Sequence, residues 1–242
     1  MNASLIGLRF FMVENFVVIV AAGVGSRMKS NLPKQFLLLG GRPVLMHTIS
    51  AFKPLLPITK LIVVLSPDMH DFWQQQCEEY QFDVPHDIVL GGATRFQSVK
   101  NATKIIDEIS QQSSLNSEGF VAVHDGARPI VEIDLINRLV ESVRVSDAVI
   151  PALQSTNSIR FGTMLDSKFV DRQQVWQVQT PQIFSKHLLL KAYEQEEDVL
   201  FTDDASVVEK MGNTIVMVEG SYRNIKITLP EDLDIAHLYL KK

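Results

Sequence analysis

Small and basic residues follow the first apolar run of the chain, in the stretch AAGVGSRMKSNLPKQF at residues 21–36. The small residues are Ala21, Ala22, Gly23 and Gly25. Such residues let the backbone come close to a ligand, and its amides can then point at phosphate oxygens. Arg27 and Lys34 add positive charge to the same loop. The stretch is therefore a candidate phosphate-binding loop, although an ordinary strand-to-helix connection can look similar.

Two common phosphate-binding motifs do not match this loop. In a G-x-G-x-x-G motif that begins at Gly23, Arg27 stands one place before the expected third glycine. A Walker A motif would need Gly-Lys followed by Ser or Thr, and the loop lacks that run. A dinucleotide-binding protein is therefore disfavoured.

A second glycine-rich segment, GGATRFQSV at residues 91–99, follows another apolar run. Gly91 and Gly92 leave room for a flat base beside the backbone, while Arg95 and Ser98 fall on the first turn of a predicted helix. Helix N-termini favour anions because of their free amides and the helix dipole. The alternative interpretation is a capped helix with a surface arginine.

A carboxylate ends the strand predicted within FVAVHDGARP, residues 120–129. Asp125 is well placed there to hold Mg²⁺, which normally binds through one or two carboxylates plus substrate phosphates. Alternatively, Asp125 caps a turn and pairs with Arg128. His124 is interpreted as packed at the strand end, since phosphoryl transfer needs positioning and charge more than a general base.

Two further segments carry polar side chains in the last third of the chain. VDRQQVWQVQTPQIF, residues 170–184, contains Arg172 and Thr180, and GSYRNIKITLPEDL, residues 220–233, contains Lys226. This lysine lies between two isoleucines in a strand-like stretch. It either points inward to an anion or is solvated.

Short β-branched runs alternate with helical patterns along the chain. The strands are predicted at 16–20, 61–65, 87–90, 120–124, 147–152 and 214–220. In TRFQSVKNATKIIDEI, residues 94–109, apolar residues repeat at spacings of three and four, as on one face of a helix. The alternation predicts a Rossmann-like α/β fold, with a mostly parallel sheet, helices on both faces and ligands beyond the carboxyl ends of the strands.

The domain organisation is predicted to be simple. We expect one domain at residues 16–242 and an N-terminal extension at residues 1–15, where Met12 as well as Met1 could be the natural start. Polar residues interrupt the apolar N-terminal stretch, which favours neither a signal peptide nor a membrane anchor. Between about 155 and 180, extended pieces around a polar turn predict a protruding β-arm that folds back or packs on a second subunit.

Overall charge and cysteine content restrict the partners and the compartment. The formal net charge of −5 gives no global attraction to nucleic acid or to an anionic membrane, so neither partner is expected. The single cysteine, Cys77, allows no intrachain disulfide and favours a reducing, cytoplasmic compartment. Two glutamates follow Cys77, which is an unfavourable setting for a reactive thiolate.

Six motifs, taken in order, resemble a known enzyme family. AAGxGxRM followed by PKQ is similar to the signature of sugar-phosphate nucleotidyltransferases. With GGxxRxxSV, VHDGARP, VDRxxxWxxQTPQxF, TDDAS and NIKITxPEDL, the chain resembles the 2-C-methyl-D-erythritol 4-phosphate cytidylyltransferases of the non-mevalonate isoprenoid pathway. The resemblance runs from about Phe16 to Leu240. It implies a nucleotidyltransferase fold related to GT-A, CTP and a polyol phosphate as substrates, Mg²⁺ or another divalent cation, and a homodimer.

The resemblance also implies a role for each matching residue. The catalytic residues would be Arg27 and Lys34, which stabilise the α-phosphate, and Lys226, which orients the substrate phosphate. CTP would contact Ala21, Ala22, Gly23, Gly25, Gly92, Ala93, Arg95 and Ser98, and Asp125 would bind the metal. The methylerythritol phosphate pocket would comprise Asp125, Thr156, Arg172, Thr180 and Thr202, of which Thr156 and Arg172 come from the partner subunit.

Some positions depart from the family's common pattern. Ala93 and Arg223 stand where acidic residues are frequent, and the QSTNSIR segment around Thr156 is one residue longer than usual. A contact through the Ala93 backbone would be unaffected by its side chain. No carboxylate role is expected at Arg223.

Three alternative functions are weaker. Ribitol 5-phosphate cytidylyltransferases commonly read HDxVRP where this chain reads HDGARP. A non-catalytic nucleotide-binding subunit would not need the charges of Arg27, Lys34, Asp125 and Lys226 together. A GT-A glycosyltransferase would be expected to present Asp-x-Asp where this chain reads HDGA.

Overall fold

The computed structural model describes residues 14–23, 32–112 and 119–241. Its strands are β1 (Asn15–Ala21), β2 (Leu38–Leu39), β3 (Arg42–Pro43), β4 (Thr59–Leu65), β5 (Asp87–Leu90), β6 (Phe120–Asp125), β7 (Ala148–Gln154), β8 (Ile159–Gly162), β9 (Ser167–Val170), β10 (Trp176–Val178), β11 (Gln182–Ser185) and β12 (Val216–Glu219). Its α-helices are α1 (Val44–Ala51), α2 (His70–Glu79), α3 (Arg95–Gln112), α4 (Ile133–Ser142), α5 (Lys186–Ala192), α6 (Asp204–Glu209) and α7 (Pro230–Leu240).

Among the described residues, an eight-stranded sheet forms the centre of the fold. Its order is β10-β7-β11-β6-β1-β4-β5, and β12 pairs with β7. The neighbours β6, β1, β4 and β5 run parallel, whereas β11 runs antiparallel to both β6 and β7. Because parallel strands end at the same edge of a sheet, the segments that follow β1, β5 and β6 are brought together.

Helices cover both faces of the sheet, because successive strand residues point to opposite sides. Val17 and Ile19 of β1 face one apolar cluster, which includes residues of α1, α2 and α4. Phe16 and Val18 face a second cluster, which includes residues of α3, α5 and α6. All four β1 side chains are fully buried. The predicted mostly parallel sheet between two helical layers is confirmed.

The β8–β9 hairpin forms a separate two-stranded sheet. Its apolar side chains are largely exposed, among them Phe161, Met164, Leu165 and Phe169. The predicted arm at about 155–180 is too long, because β10 lies within that range and pairs with β7 in the main sheet. β10 pairs with residues 152–154 of β7, beyond the part of β7 that pairs with β11.

Two other boundaries differ from the predictions. β1 begins at Asn15, inside the predicted extension, and residues 1–13 lie outside the described part of the chain. The strand predicted at 214–220 is shorter and spans only Val216–Glu219. Among the described residues, no helix has both the length and the apolar character needed to cross a membrane.

Candidate active site

A cavity of about 380 Å³ opens where β1, β5 and β6 end. The predicted site residues that line it are Ala21, Ala22, Gly23, Lys34, Gly92, Ala93, Arg95, Ser98, Asp125 and Lys226. These residues come from four separate segments of the sequence. The fold therefore brings the predicted nucleotide-binding and charged residues to one place.

Lys34 lines the cavity from a single 3₁₀ turn, Lys34–Phe36. The Phe36 N–H donates to the Pro33 carbonyl at 2.9 Å and closes the turn. Phe36 is buried, and its ring meets that of Phe72 edge to face, with 5.4 Å between centroids. The buried ring thus anchors the turn whose first residue reaches the cavity.

The segment after β5 lies with its backbone close to its neighbours. A Cβ on Gly91 would be 2.6 Å from the Ala22 Cβ, and one on Gly92 would overlap the Gln97 Cβ. The Ser98 hydroxyl accepts the Gly92 N–H at 3.1 Å and donates to a backbone carbonyl of the same turn at 2.8 Å. Ser98 therefore holds the glycine segment against the start of α3.

Arg95 forms a two-pronged ion pair with Asp204. Its Nη1 and Nη2 donate to the two carboxylate oxygens at 2.9 and 2.6 Å, and the Tyr193 hydroxyl donates to one of them at 2.6 Å. Burial lowers the pKa of Arg95, but the Asp204 carboxylate more than offsets this and the net shift is upward. Burial and the same carboxylate raise the pKa of Tyr193. The guanidinium is thus committed to a protein partner and ties α3 to α6.

Asp125 ends β6 among basic side chains. Its carboxylate lies 2.9 Å from Lys226 Nζ, 3.3 Å from Arg128 Nε and 3.9 Å from Arg95 Nε. Burial would raise the pKa of Asp125. Attraction to Lys226 and to the two arginines outweighs burial and holds this pKa well below its usual range. The carboxylate is therefore ionised, borders the cavity and pairs with Arg128, while metal binding by Asp125 stays a prediction.

The segment that carries Lys226 is not a strand, contrary to the strand-like prediction. Hydrogen bonds from side chains and from a neighbouring loop hold this segment, rather than the backbone pairing of a β-sheet. Arg128 Nη1 donates to the Asn224 carbonyl at 2.8 Å, and Asn224 Nδ2 donates to the Thr180 carbonyl at 2.7 Å. The Ile227 N–H donates to a loop carbonyl at 2.9 Å. These contacts direct Lys226 to Asp125 without β-pairing.

Arg223 also fixes this segment. Its Nη1 donates to Glu132 at 3.0 Å, and its Nη2 donates to the Tyr239 carbonyl at 2.8 Å. The guanidinium also lies 5.6 Å from the centroid of the Tyr239 ring. The arginine therefore connects the Lys226 segment to α4 and α7.

His124 is buried next to the carboxylate, as the packing interpretation predicts. Its Nε2 lies 3.0 Å from the Arg128 carbonyl, so this nitrogen carries the proton. Its Nδ1 then accepts from the Thr180 hydroxyl at 3.0 Å, while that hydroxyl accepts the Asp125 N–H at 3.0 Å. Burial lowers the pKa of His124 to about 4. A neutral histidine and a threonine thus fix the backbone of the site carboxylate.

Comparison with known proteins agrees with this geometry. The profile of the family described as "IspD: 2-C-methyl-D-erythritol 4-phosphate cytidylyltransferase" matches residues 15–242. The chain belongs to this family. A Bacteroides thetaiotaomicron enzyme with the family's name is 46% identical over 228 residues, which cover 94% of this chain and all of that protein. The Porphyromonas gingivalis enzyme of the same name is 40% identical and covers 94% and 98% of the two chains.

Solved structures of family members have the same fold. The 4-diphosphocytidyl-2C-methyl-D-erythritol synthase of Anaerococcus prevotii matches with a TM-score of 0.76 and 30% identity, over 97% of this chain and 99% of that one. The 2-C-methyl-D-erythritol 4-phosphate cytidylyltransferase of Thermus thermophilus matches with a TM-score of 0.68 and 29% identity, over 93% and 98%. The predicted fold and the resemblance to this cytidylyltransferase family are confirmed.

Four residues of the predicted methylerythritol phosphate pocket do not line the cavity in the described part of this single chain. Arg172 and Thr156 are exposed and lie together, since Arg172 Nη1 donates to the Thr156 carbonyl at 2.8 Å. Thr202 is exposed just before α6, whereas Thr180 is buried with its hydroxyl already bonded. Their family roles stay predictions. The predictions for Gly25 and Arg27 fall outside the described residues.

Several residues that hold the site together were not predicted. Asp204 and Tyr193 fix Arg95, Asn224 fixes the Lys226 segment, and Gln35 bonds to the end of β1. Some signal was present, since Gln35 is the last residue of PKQ and Asp204 belongs to TDDAS. Neither motif shows which groups these two side chains contact, so their structural roles do not follow from the sequence.

Proposed function

We propose that the protein transfers the cytidylyl group of CTP to 2-C-methyl-D-erythritol 4-phosphate, giving 4-diphosphocytidyl-2-C-methyl-D-erythritol and pyrophosphate. The observation that carries this proposal is that Lys34, Lys226 and residues of the glycine segment at 91–98 line the same cavity. A flat base and two sets of phosphates need this combination of open backbone and local positive charge. The family membership supports the same reaction.

In this reaction an oxygen of the substrate phosphate attacks the α-phosphorus of CTP in line with the leaving group. A new P–O bond forms as the bond to the pyrophosphate oxygen breaks. Two anions must approach each other, so positive charge fixed beforehand lowers the barrier. Lys34 and Arg27 would stabilise the charge on the α-phosphate, and Lys226 would orient the attacking phosphate.

The nucleotide would lie between the loop after β1 and the segment after β5. Ala21, Ala22, Gly23 and Gly25 would contact CTP from the first, and Gly92, Ala93 and Ser98 from the second. Arg95 would act by fixing the second segment, because its two Nη atoms already donate to Asp204. Close backbone approach explains the small residues on both sides.

Asp125 is the proposed ligand for Mg²⁺ or another divalent cation. The described residues contain no group of three or more His, Cys, Asp or Glu side chains that could hold a metal by themselves. One ionised carboxylate beside a phosphate site nevertheless fits Mg²⁺, which shares its coordination between one or two carboxylates and substrate phosphates. The bound cation would neutralise charge on those phosphates.

A homodimer is proposed to complete the polyol phosphate pocket. The β8–β9 hairpin cannot bury its exposed apolar side chains by itself, and Thr156 and Arg172 flank it. A second subunit that covers the hairpin would bring these two residues to its neighbour's cavity, where Thr180 and Thr202 would complete the pocket. Replacing Phe161 and Phe169 with Asp should then yield monomers in analytical ultracentrifugation and raise the KM of the polyol phosphate.

The cytoplasm is the proposed compartment. A single cysteine is typical of proteins in a reducing environment. Both substrates of the proposed reaction are phosphorylated small molecules. Fractionation of cells that express the full chain would test the assignment.

The decisive test is pyrophosphate release by the purified protein with Mg²⁺ and CTP, comparing methylerythritol 4-phosphate with ribitol 5-phosphate. Release with the former alone is expected. Release with ribitol 5-phosphate alone would instead indicate a ribitol 5-phosphate cytidylyltransferase. Release with neither, despite measurable CTP binding, would indicate a non-catalytic nucleotide-binding protein.

Lys34→Met tests the proposed chemistry within the same assay. Losing one fixed charge donor typically lowers turnover by about 10² to 10³. Lys210→Met is the matched control, because Lys210 pairs with exposed Asp198 at 3.0 Å and does not line the cavity. A folded Lys34 variant with turnover near that of the control would contradict the catalytic assignment.

A further inference from the structure

The side-chain amide of Gln35 clamps the end of β1. Gln35 is 3% exposed, and its Nε2 donates to the Ala21 carbonyl at 2.6 Å and to the Gly23 carbonyl at 3.0 Å. An amide nitrogen carries two hydrogens, so both are used. One buried side chain thus spans the junction where the strand becomes the candidate phosphate loop.

Holding these carbonyls also orients the next amides. In a planar trans peptide the carbonyl and the following N–H point in opposite directions. The Ala22 N–H is therefore directed away from Gln35. Ala22, Gly23 and Gln35 all line the cavity. The two hydrogen bonds of Gln35 therefore determine which backbone groups of residues 21–23 face a ligand.

The same residue links the loop to Lys34. Gln35 follows Lys34 in the 3₁₀ turn, and Phe36 anchors that turn in the core. The backbone at residues 21–23 and the Lys34 side chain, which belong to the same loop, are therefore held at a fixed separation by one short segment.

We infer that Gln35 is a positioning residue for nucleotide binding, which sets the backbone of the β1 loop relative to Lys34. This inference rests on the proposed function and adds a residue to which the family resemblance gave no role. Gln35 does not need to touch the reacting atoms. Its loss should weaken CTP recognition while leaving recognition of the second substrate intact.

Asn15 provides a matched control at the opposite end of the same strand. It is also a buried amide: its Nδ2 donates to the Ile58 carbonyl at 2.9 Å, and its Oδ1 accepts the Phe120 N–H at 3.0 Å. It does not line the cavity. Asn15→Leu and Gln35→Met each remove two hydrogen bonds between a side chain and the backbone, one pair at each end of β1, and keep a side chain of similar size.

The experiment measures the melting temperature, the KM for CTP and the KM for methylerythritol 4-phosphate in both variants. Both should lower the melting temperature. Only Gln35→Met should raise the KM for CTP, by about tenfold or more, because two hydrogen bonds that shape the nucleotide wall are lost. The KM for the second substrate should stay within about twofold of the wild type.

Equal effects of the two variants on the KM for CTP, or no effect of Gln35→Met, would overturn the inference. If Gln35→Met does not fold, Gln35→Asn keeps a neutral amide but shortens its reach to the two carbonyls, and it should give the same selective loss. Calorimetric titration of CTP alone keeps the two proposals separate. A wild type that binds CTP without turnover would contradict the reaction, whereas the ratio of dissociation constants would still test Gln35.

Discussion

Arg95 and Asp204 form a buried ion pair that joins the first residue of α3 to the first residue of α6. The Asp204 carboxylate is fully buried and also accepts a hydrogen bond from the Tyr193 hydroxyl, so both of its oxygens have donors. The pair connects the glycine segment, proposed to bind CTP, with the segment of Thr202, proposed to bind the second substrate. One contact thus couples the two halves of the proposed site.

Removing either partner of this pair should destabilise the protein strongly. Arg95→Met or Asp204→Leu leaves an uncompensated buried charge, which typically costs about 3 to 5 kcal/mol. The double variant should cost clearly less than the sum of the two single variants, because neither charge remains. Denaturant unfolding of the four proteins measures this coupling. Additive single and double variants would indicate that the pair does not stabilise the fold.

Cys77 should be a slowly reacting thiol. Burial raises its pKa to about 11 from an ordinary value of 9.0, so the thiolate fraction at pH 8 falls by about 10². Alkylation by iodoacetamide, followed by mass spectrometry, should be slower by that factor in the folded protein than in urea. Cys77→Ala should retain turnover. Fast labelling of the native protein would contradict the assigned environment.

Lys226→Met should lower turnover with only a moderate effect on stability. The side chain is 40% exposed, and Arg128 and Arg95 still lie near the buried Asp125 carboxylate when Lys226 is lost, so the cost should stay below that of breaking a fully buried pair. Turnover should fall by about 10² to 10³ if the lysine orients the attacking phosphate. Rates of pyrophosphate release and melting temperatures separate the two effects, with Lys210→Met as the control. An equal loss of turnover in Lys226→Met and Lys210→Met would exclude a specific role for Lys226.

The central strands were predictable because their residues are buried on both faces. β1, β4 and β6 each contain an uninterrupted apolar run of at least four residues, which is typical of parallel strands buried on both faces. β8 and β10 lie at the edge or outside the main sheet and carry exposed residues. The strand with which each of them pairs depends on which strands the rest of the fold leaves accessible. The local sequence therefore predicts extended structure but not the pairing partner.

The same distinction applies to the site. Asp125 was predictable at the cavity because strand ends in an α/β fold meet at one edge, whereas Lys34 and Lys226 were placed there by their motifs. The partner of Arg95 was not predictable, because Arg95 and Asp204 are separated by 109 positions and neither residue type demands the other. The role of Gln35 was also not predictable. A glutamine beside a lysine has no evident function until its two carbonyl partners, Ala21 and Gly23, are known.

His124 should make the protein less stable as the pH falls below 6.5. Its folded pKa is about 4, against 6.5 for the unfolded chain, so the unfolded state binds the extra proton first. Stability from the neutral ring is therefore complete above pH 6.5 and is lost progressively down to about pH 4. A shift of this size corresponds to at most about 3 kcal/mol.

Comparing wild type with His124→Gln isolates this contribution. Glutamine keeps one donor for the Arg128 carbonyl and one acceptor for the Thr180 hydroxyl but does not titrate in this range. The variant should lose less unfolding free energy than the wild type between pH 7 and pH 4.5, measured by urea denaturation. Because all other titrating groups are shared, parallel pH profiles for the two proteins would show that His124 does not control acid stability.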